Sequence, residues 1–410
     1  MDRVTLPASP GPSPAAAQSA SAPTTASSPP LRPVSSAEVR EIVGEAITHQ
    51  TPLRIVGRGT WLDAGRPVVA ARQVSLDGLT GIVDYTPGDL TLTARAGATL
   101  AEIARVTAEY GQWLALTPWG GDDGSLGATA ATATAGPMSG ALGTPRDVII
   151  GIEAVAGSGE LIRGGGRVVK NVAGFDLTRL MVGAWGTLGI LTEVSVRLRG
   201  LPEQDATVAL PLPNAPAPLA EFVTRLRAAP ITPLAVEMVS ARLAARLGLG
   251  QCAVVIVRLA GNADAVSAQR AALDDFADMS EIPDGVWTAV RTADPAEATV
   301  VRFSSTASRF PEVWLAADRL ATVGDGHVHA SVLRSSARVV LPHNEGAPMD
   351  AALELLRGAS RDTRIFERLP AALWPALAPS RATDRLSHGV RAAFDPHRLL
   401  NRGILGETNP

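Results

Sequence analysis

Between Thr117 and Asp147 the chain is built almost entirely from small residues. Thr117-Pro118-Trp119-Gly120-Gly121-Asp122-Asp123-Gly124-Ser125-Leu126-Gly127-Ala128-Thr129 leads into Ala130 to Thr134, then Ala135-Gly136-Pro137 and Gly140 to Asp147 with Gly143 inside it. An ordinary core draws on about 25 cal/mol for each Å² of apolar surface it buries, and side chains this small have little to bury. Two things can make up the missing volume: a large planar ligand, or a helix packed closely on a sheet. Whatever the fold, it brings backbone close to something flat here.

A second segment carries the same signature. Leu53-Arg54-Ile55-Val56 reads as a short strand that opens directly into Gly57-Arg58-Gly59-Thr60. Several backbone N–H groups can converge on one point in such a loop, which suits an anion such as a pyrophosphate, although an ordinary turn has the same residues. A third lies between Gly164 and Arg199. There Asp176 to Val182 has a helical pattern with Asp176 at its positive end, and Ile190 to Leu198 alternates as a strand.

The order Lys170-Asn171-Val172-Ala173-Gly174-Phe175-Asp176-Leu177, followed by Gly183-Ala184-Trp185-Gly186-Thr187-Leu188-Gly189-Ile190-Leu191-Thr192-Glu193, resembles the FAD-binding domain of the vanillyl-alcohol-oxidase superfamily, the PCMH type. Within it the chain is most similar to the FAD-binding E subunits of bacterial glycolate oxidases, over roughly residues 36–200 and again at the C-terminus. The resemblance implies an α+β fold: a two-part PCMH-type FAD-binding domain over 31–202, a ferredoxin-like α+β cap over 203–390, and a C-terminal segment, 391–410, returning to the first domain. It implies noncovalent FAD, since no histidine stands in the first loop. Gly57, Arg58, Gly59 and Thr60 would hold the pyrophosphate. Pro118, Gly124, Ser125, Gly127, Thr129, Gly136, Gly140 and Gly143 would line the cofactor, Lys170 and Asn171 would lie near the ring, and Gly189 and Ile190 would bring backbone beside it. The family's usual Gly-Gly-Asn is Gly127-Ala128-Thr129 here, and Ala133 replaces a second Asn.

Composition narrows the classes further. The net charge of −3 gives no reason to expect nucleic acid or an anionic membrane as partner. The single cysteine, Cys252, excludes an internal disulfide and an iron–sulfur cluster ligated by this chain alone, and its place before Ala253-Val254-Val255-Ile256-Val257 suggests a buried thiol. No apolar stretch is long enough to span a bilayer, so a cytoplasmic protein is expected, peripheral to the inner membrane only through a complex. Residues 1–30, rich in Pro, Ala, Ser and Thr, are expected to form a disordered tail.

Along the rest of the chain, Ser35 to Glu38 has capping-box form ahead of a helix. Thr99 caps a second helix, with Leu100, Ile103, Ala104, Thr107 and Tyr110 as its inward stripe. Val148 to Val155 and Glu160 to Arg163 form a hairpin around Ala156-Gly157-Ser158-Gly159. Beyond Pro202, strands are expected at 207–212, 234–239, 253–259 and 286–291, with helices around Leu219 to Leu226 and Ala268 to Phe276.

Catalytic members of the wider family hold a divalent metal through His-x-Gly-Asp-Gly-Asn-x-His and a later Glu. Here the string is Thr322-Val323-Gly324-Asp325-Gly326-His327-Val328-His329, in which only His329 is in register, and no metal is expected. His327 and His329 then read as surface or domain-interface residues.

Three functions stay open. In one, the chain is the FAD-binding subunit of a glycolate-oxidising complex whose partners are a catalytic FAD-containing subunit and an iron–sulfur subunit. In another, it is a self-sufficient FAD-dependent oxidoreductase for a small 2-hydroxy acid, with His343 and Arg302 as weak candidates for its chemistry. In the third it is a flavin-free scaffold. The sequence names no catalytic residue.

Overall fold

The computed structural model describes residues 29–166, 176–274, 276, 278–343, 346–358, 364–378, 380 and 384–406. Lys170, Asn171 and nearly all of the tail lie outside them.

The chain enters through the helix Ser36–His49, whose first turn is closed by sequence-local bonds. The Ser35 hydroxyl accepts from the Glu38 N–H, and the Glu38 carboxylate accepts in turn from the N–H of Val34. Val39, Val43 and Ala46 form its buried face. Two parallel strands follow, β1 (Leu53–Val56) and β2 (Arg72–Ser75).

Next to them stands a five-stranded antiparallel sheet made of β3 (Ile82–Thr86), β4 (Thr91–Arg95), β6 (Ile149–Ala156), β7 (Leu161–Gly165) and β8 (Gly189–Arg197), in the order β3-β4-β8-β6-β7. Two residues each of β5 (Gln112–Trp113) and β9 (Arg199–Gly200) pair separately. The β6–β7 hairpin turns where expected, and Gly157 at its tip is pressed against Asp395, whose side chain a Cβ there would meet at 2.4 Å. Thr99 caps the helix Leu100–Ala108, but only Leu100, Ile103 and Thr107 of the expected stripe are buried. Ala104 is exposed because it lies off the face that Leu100, Ile103 and Thr107 share, and Tyr110 is exposed two residues past the helix end, where its ring meets Tyr85 edge-on.

The remaining strands are β10 (Gln204–Pro211), β11 (Ala235–Val239), β12 (Val254–Gly261), β13 (Ser280–Ile282), β14 (Thr299–Ser304), β15 (His327–Ser331), β16 (Ser336–Leu341) and β17 (Arg364–Arg368). They make one eight-stranded antiparallel sheet in the order β13-β10-β12-β11-β15-β16-β14-β17. One face is apolar: Val208, Val236, Met238, Val257, Val328, Ala330 and Val339 pack beneath the helices Pro216–Ala228 and Phe310–Val323. The opposite face looks toward the first sheet, and its centre is charged.

Two expectations fail. Residues 286–291 belong to a helix, Gly285–Arg291, because Val286, Trp287, Val290 and Arg291 are spaced to share one helical face and all four are buried. Cys252 is exposed, since it sits in the turn before β12 and not in the strand that starts at Val254.

Candidate functional site

A cleft opens beside β1 and continues, past Trp61, Trp119 and Trp185, to the charged face of the eight-stranded sheet, and its first half is walled by the small-residue segments. Gly57, Arg58, Gly59 and Thr60, at the end of β1, line it together with Pro118, Gly124, Ser125, Gly127, Thr129 and Gly189, and it encloses about 1170 Å³ including its open mouth. Backbone approach explains the glycines. A Cβ on Gly57 would sit 2.5 Å from the Ser125 hydroxyl and 2.9 Å from the Ala128 methyl, so β1 can meet the helix Leu126–Thr132 only with glycine at this position. Gly127 is fixed in the same way, its Cβ falling 2.6 Å from that of Ala96 on the other side. Ser125 caps this helix by accepting from the Ala128 N–H.

The other expected residues lie elsewhere. Gly136 faces the second half of the cleft, described below. Gly140 packs against Leu333 of the cap, where a Cβ would come within 2.6 Å, and Gly143 makes a left-handed turn (φ 93°) beside Asp147. Ile190 is buried in β8 behind the cleft wall, which Gly189 and Leu191 form.

Aromatic residues that the sequence reading left unassigned finish the wall. Trp61 and Trp185 stack with ring centroids 6.5 Å apart, and both line the two halves of the cleft. Trp185 takes the left-handed backbone conformation (φ 55°), which costs a non-glycine residue about 1 kcal/mol or more. It is held there by its N–H donating to the Ala131 carbonyl and by Asn401 Nδ2 donating to its own carbonyl at 2.7 Å. Asn401 Oδ1 also accepts from the Ile55 N–H at 2.7 Å, so one C-terminal side chain ties β1 to the turn before β8.

The second half of the cleft lies between Trp119 and the charged face of the eight-stranded sheet, with Thr132, Thr134, Gly136 and Ser139 on the near side. On the far side strand alternation brings Glu237, His329, Ser331, Arg302, Arg338 and Glu367 to one surface. Arg338 holds its centre: it donates to both oxygens of Asp294 at 2.8 and 2.7 Å and to Glu367 at 2.7 Å, and it lies 4.8 Å from the Trp119 ring centroid. Burial alone would lower its pKa, but Glu367 and Asp294 outweigh it and hold the guanidinium charged beyond its ordinary range. Arg302 donates to the other oxygen of Glu367.

His329, 1% exposed, is kept neutral first by burial and then by Arg338, against the opposing pull of Asp294. His327, its neighbour along the strand, is pushed down to about 4 by burial and Arg246. Both histidines are buried and not on the surface: His329 meets Trp119 of the first domain, whereas His327 meets Arg246 within the cap. The Glu237 carboxyl, also 1% exposed, is pushed up to about 8 by burial, with the Ser331 hydroxyl pulling weakly the other way. His329 Nδ1 lies 3.5 Å from it, and neither of its oxygens meets hydrogen-bond geometry with any neighbour, the Ser331 hydroxyl included. His343 stands apart, in a separate cleft beside Arg66 and Trp374.

A staple crosses from the cap to the first half. Arg291, almost fully buried, donates to the carbonyls of Pro118 and Gly120 and to Asp122, and so shapes the loop at the junction of the two cleft halves.

Residues 30–165 match the family described as FAD binding domain. This part of the chain is an FAD-binding domain. FAD is the cofactor it is built to hold, and the glycine-walled cradle of Gly57, Ser125 and Gly127 fits such a group. The chain is 40% identical over 171 residues to the glycolate oxidase subunit GlcE of Escherichia coli (strain K12), an alignment covering 42% of this chain and 48% of that one. It is 31% identical over 208 residues to the glycolate oxidase subunit GlcD of Bacillus subtilis (strain 168), covering 50% and 44%. The matched part thus takes up about half the length of these relatives. A D-2-hydroxyglutarate dehydrogenase of Xanthomonas citri pv. viticola aligns over 92% of this chain and 89% of its own at 27% identity. Among solved structures, p-cresol methylhydroxylase with substrate bound superposes over 92% of this chain and 88% of its own, with a TM-score of 0.73 at 14% identity, which shows the PCMH-type fold. Among the described residues no helix is long and apolar enough to cross a membrane, and no group of three or more His, Cys, Asp or Glu is placed to hold a metal ion.

Proposed function

We propose that the chain is the FAD-binding subunit of a glycolate-oxidising complex, acting on glycolate or a similar small 2-hydroxy acid and handing electrons to an iron–sulfur partner. The observation that supports it most is the 40% identity to a glycolate oxidase subunit over 171 residues. When bound, FAD supplies two-electron oxidation of an alcohol carbon and one-electron delivery onward. The protein's share is to hold, orient and shield. Gly57, Arg58, Gly59 and Thr60 would cradle the pyrophosphate. Pro118, Gly124, Ser125, Gly127, Thr129 and Gly189 would bring backbone and small side chains against the flat faces. Trp61, Trp185 and Trp119 keep water from the junction of the two cleft halves. With one cysteine in the whole sequence, a cluster needs a second chain, and a catalytic FAD-containing subunit is the other expected partner.

The test is anaerobic addition of glycolate to the purified flavoprotein, alone and with its partner subunits. Bleaching only with the partners supports the complex. Bleaching of the single chain favours self-sufficiency, a reading that the charged chamber beyond Trp119 supports. No bleaching in either mixture overturns glycolate as the substrate.

A further inference from the structure

Glu237 is out of place by the ordinary rules of a sheet interior. It sits on β11, a strand with paired neighbours on both sides, and is 1% exposed, yet both carboxyl oxygens lack a hydrogen bond. Leaving a buried polar group unpaired is costly, and Glu237 is one of the residues that wall the chamber beyond Trp119. A group left unsatisfied on a cavity wall has its partner in whatever fills the cavity.

The charges around it define that partner. From β15 Glu237 is faced by His329, with His327 beyond it and the Ser331 hydroxyl beside it; from β16 by Arg338; from β14 by Arg302; from β17 by Glu367. Asp294 closes on Arg338, and Arg258 on the neighbouring strand is taken up by Asp205. At the rim stands Arg334, which has no ion-pair partner among the described residues and feels Arg302 and, more weakly, Asp147. Both histidines are neutral. Three guanidinium groups, Arg302, Arg334 and Arg338, therefore face two committed carboxylates, Glu367 and Asp294. The chamber carries one net positive charge when Glu237 is undissociated and none when it is ionised.

We infer that Glu237 is a specificity-determining residue of this chamber: in its acid form it donates a hydrogen bond to an oxygen of a small singly charged carboxylate, so that the anion and a proton are held together. The ligand's charge matches the single uncompensated guanidinium, and its oxygen supplies the acceptor that Glu237 lacks. Burial, which pushes the Glu237 carboxyl up to about 8, keeps the acid form available at neutral pH. This rests on reading the chain as an FAD-dependent oxidoreductase of a small hydroxy acid, but its test needs no turnover.

The probe is oxamate, a singly charged carboxylate with no C–H bond to give up, titrated calorimetrically into the flavin-loaded protein in two buffers of unlike ionisation heat. Above pH 8 the wild-type chain takes up close to one proton per oxamate, and its Kd weakens about tenfold for each further pH unit. Glu237→Gln takes up none, and its Kd is flat with pH. Arg334→Met, an exposed change that leaves the sheet untouched, weakens binding at every pH while keeping the wild-type slope. Absence of oxamate binding, or binding by the wild-type chain without proton uptake, overturns the inference, as does equal uptake by Glu237→Gln. Oxamate binding with proton uptake in a protein that no hydroxy acid bleaches would leave this inference standing and remove the functional reading alone.

Discussion

The indole of Trp119 lies against the imidazole of His329, ring centroids 4.5 Å apart and planes tilted by 52°. One ring comes from the loop that walls the cofactor cleft and the other from the central part of the cap sheet, so this contact joins the two halves of the site. Arg338 packs on the same indole, which places a buried ion-pair network directly behind it.

Gly57 is the tightest point of the cofactor cradle. Gly57→Val forces a side chain into the Ser125 hydroxyl and the Ala128 methyl, which can yield only by moving the helix Leu126–Thr132 away from β1. Purified Gly57→Val is expected to hold less than a tenth of the wild-type flavin, read from absorbance, at a stability cost of about 1 to 3 kcal/mol.

Asn401 lines the cleft and shapes it through Trp185 and Ile55. Asn401→Ala removes its bonds to the Ile55 N–H and to the Trp185 and Ile55 carbonyls and relaxes the left-handed Trp185. A loss of about 1 to 3 kcal/mol in urea unfolding is expected, together with weaker FAD affinity. Unchanged affinity would show that the C-terminal tie does not shape the site.

Arg291→Met keeps the aliphatic packing of the helix Gly285–Arg291 but gives up three charge-assisted bonds to the loop around Gly120. It should cost about 2 to 4 kcal/mol, and thermolysin should cut the 117–124 loop faster in the variant than in the wild type.

The buried histidines and Glu237 set a pH profile of stability. His327 and His329 have lowered values in the folded chain, so the unfolded chain alone binds their protons below about 6.5, and stability falls as pH drops from there toward about 4. Glu237 has a raised value, so the folded chain alone keeps its proton above the usual range near 4.5, and stability falls as pH rises toward about 8. Two histidines outweigh one carboxyl between pH 4.5 and 6.5, and the carboxyl acts alone above that. From these groups the stability maximum lies near pH 6.5 and falls by about 1.4 kcal/mol per unit on either side. Urea midpoints across this range check it, and Glu237→Gln should abolish the alkaline fall.

Much of the first half of the site was legible because it depends on local backbone needs. Glycines at 57 and 127, the Thr99 cap and the Gly157 hairpin each follow from a turn, a cap or a close approach that sequence spacing encodes. The second half depends on which strands become neighbours. Glu237, Arg302, His329, Arg338 and Glu367 stand on five separate strands, and only the sheet order brings them together. A signal was present all the same: His327-Val328-His329-Ala330-Ser331 and Ser336-Ala337-Arg338-Val339 alternate polar with apolar, and Glu237 interrupts an apolar run. The alternation at His327 and His329 suits surface and domain-interface positions alike, and the polar face of the sheet meets the FAD-binding domain through His329 and Arg338. Residues 286–291 were misread because a short apolar run is ambiguous in period, and burial of Val286, Trp287, Val290 and Arg291 decided for the helix.

The central claim is that the glycine-walled cleft holds FAD without a covalent bond. The most direct measurement is the visible spectrum of the purified chain before and after acid precipitation. A yellow protein that releases its colour into the supernatant is the predicted result. A colourless protein that takes up no added FAD would contradict the account, as would flavin that stays with the precipitate.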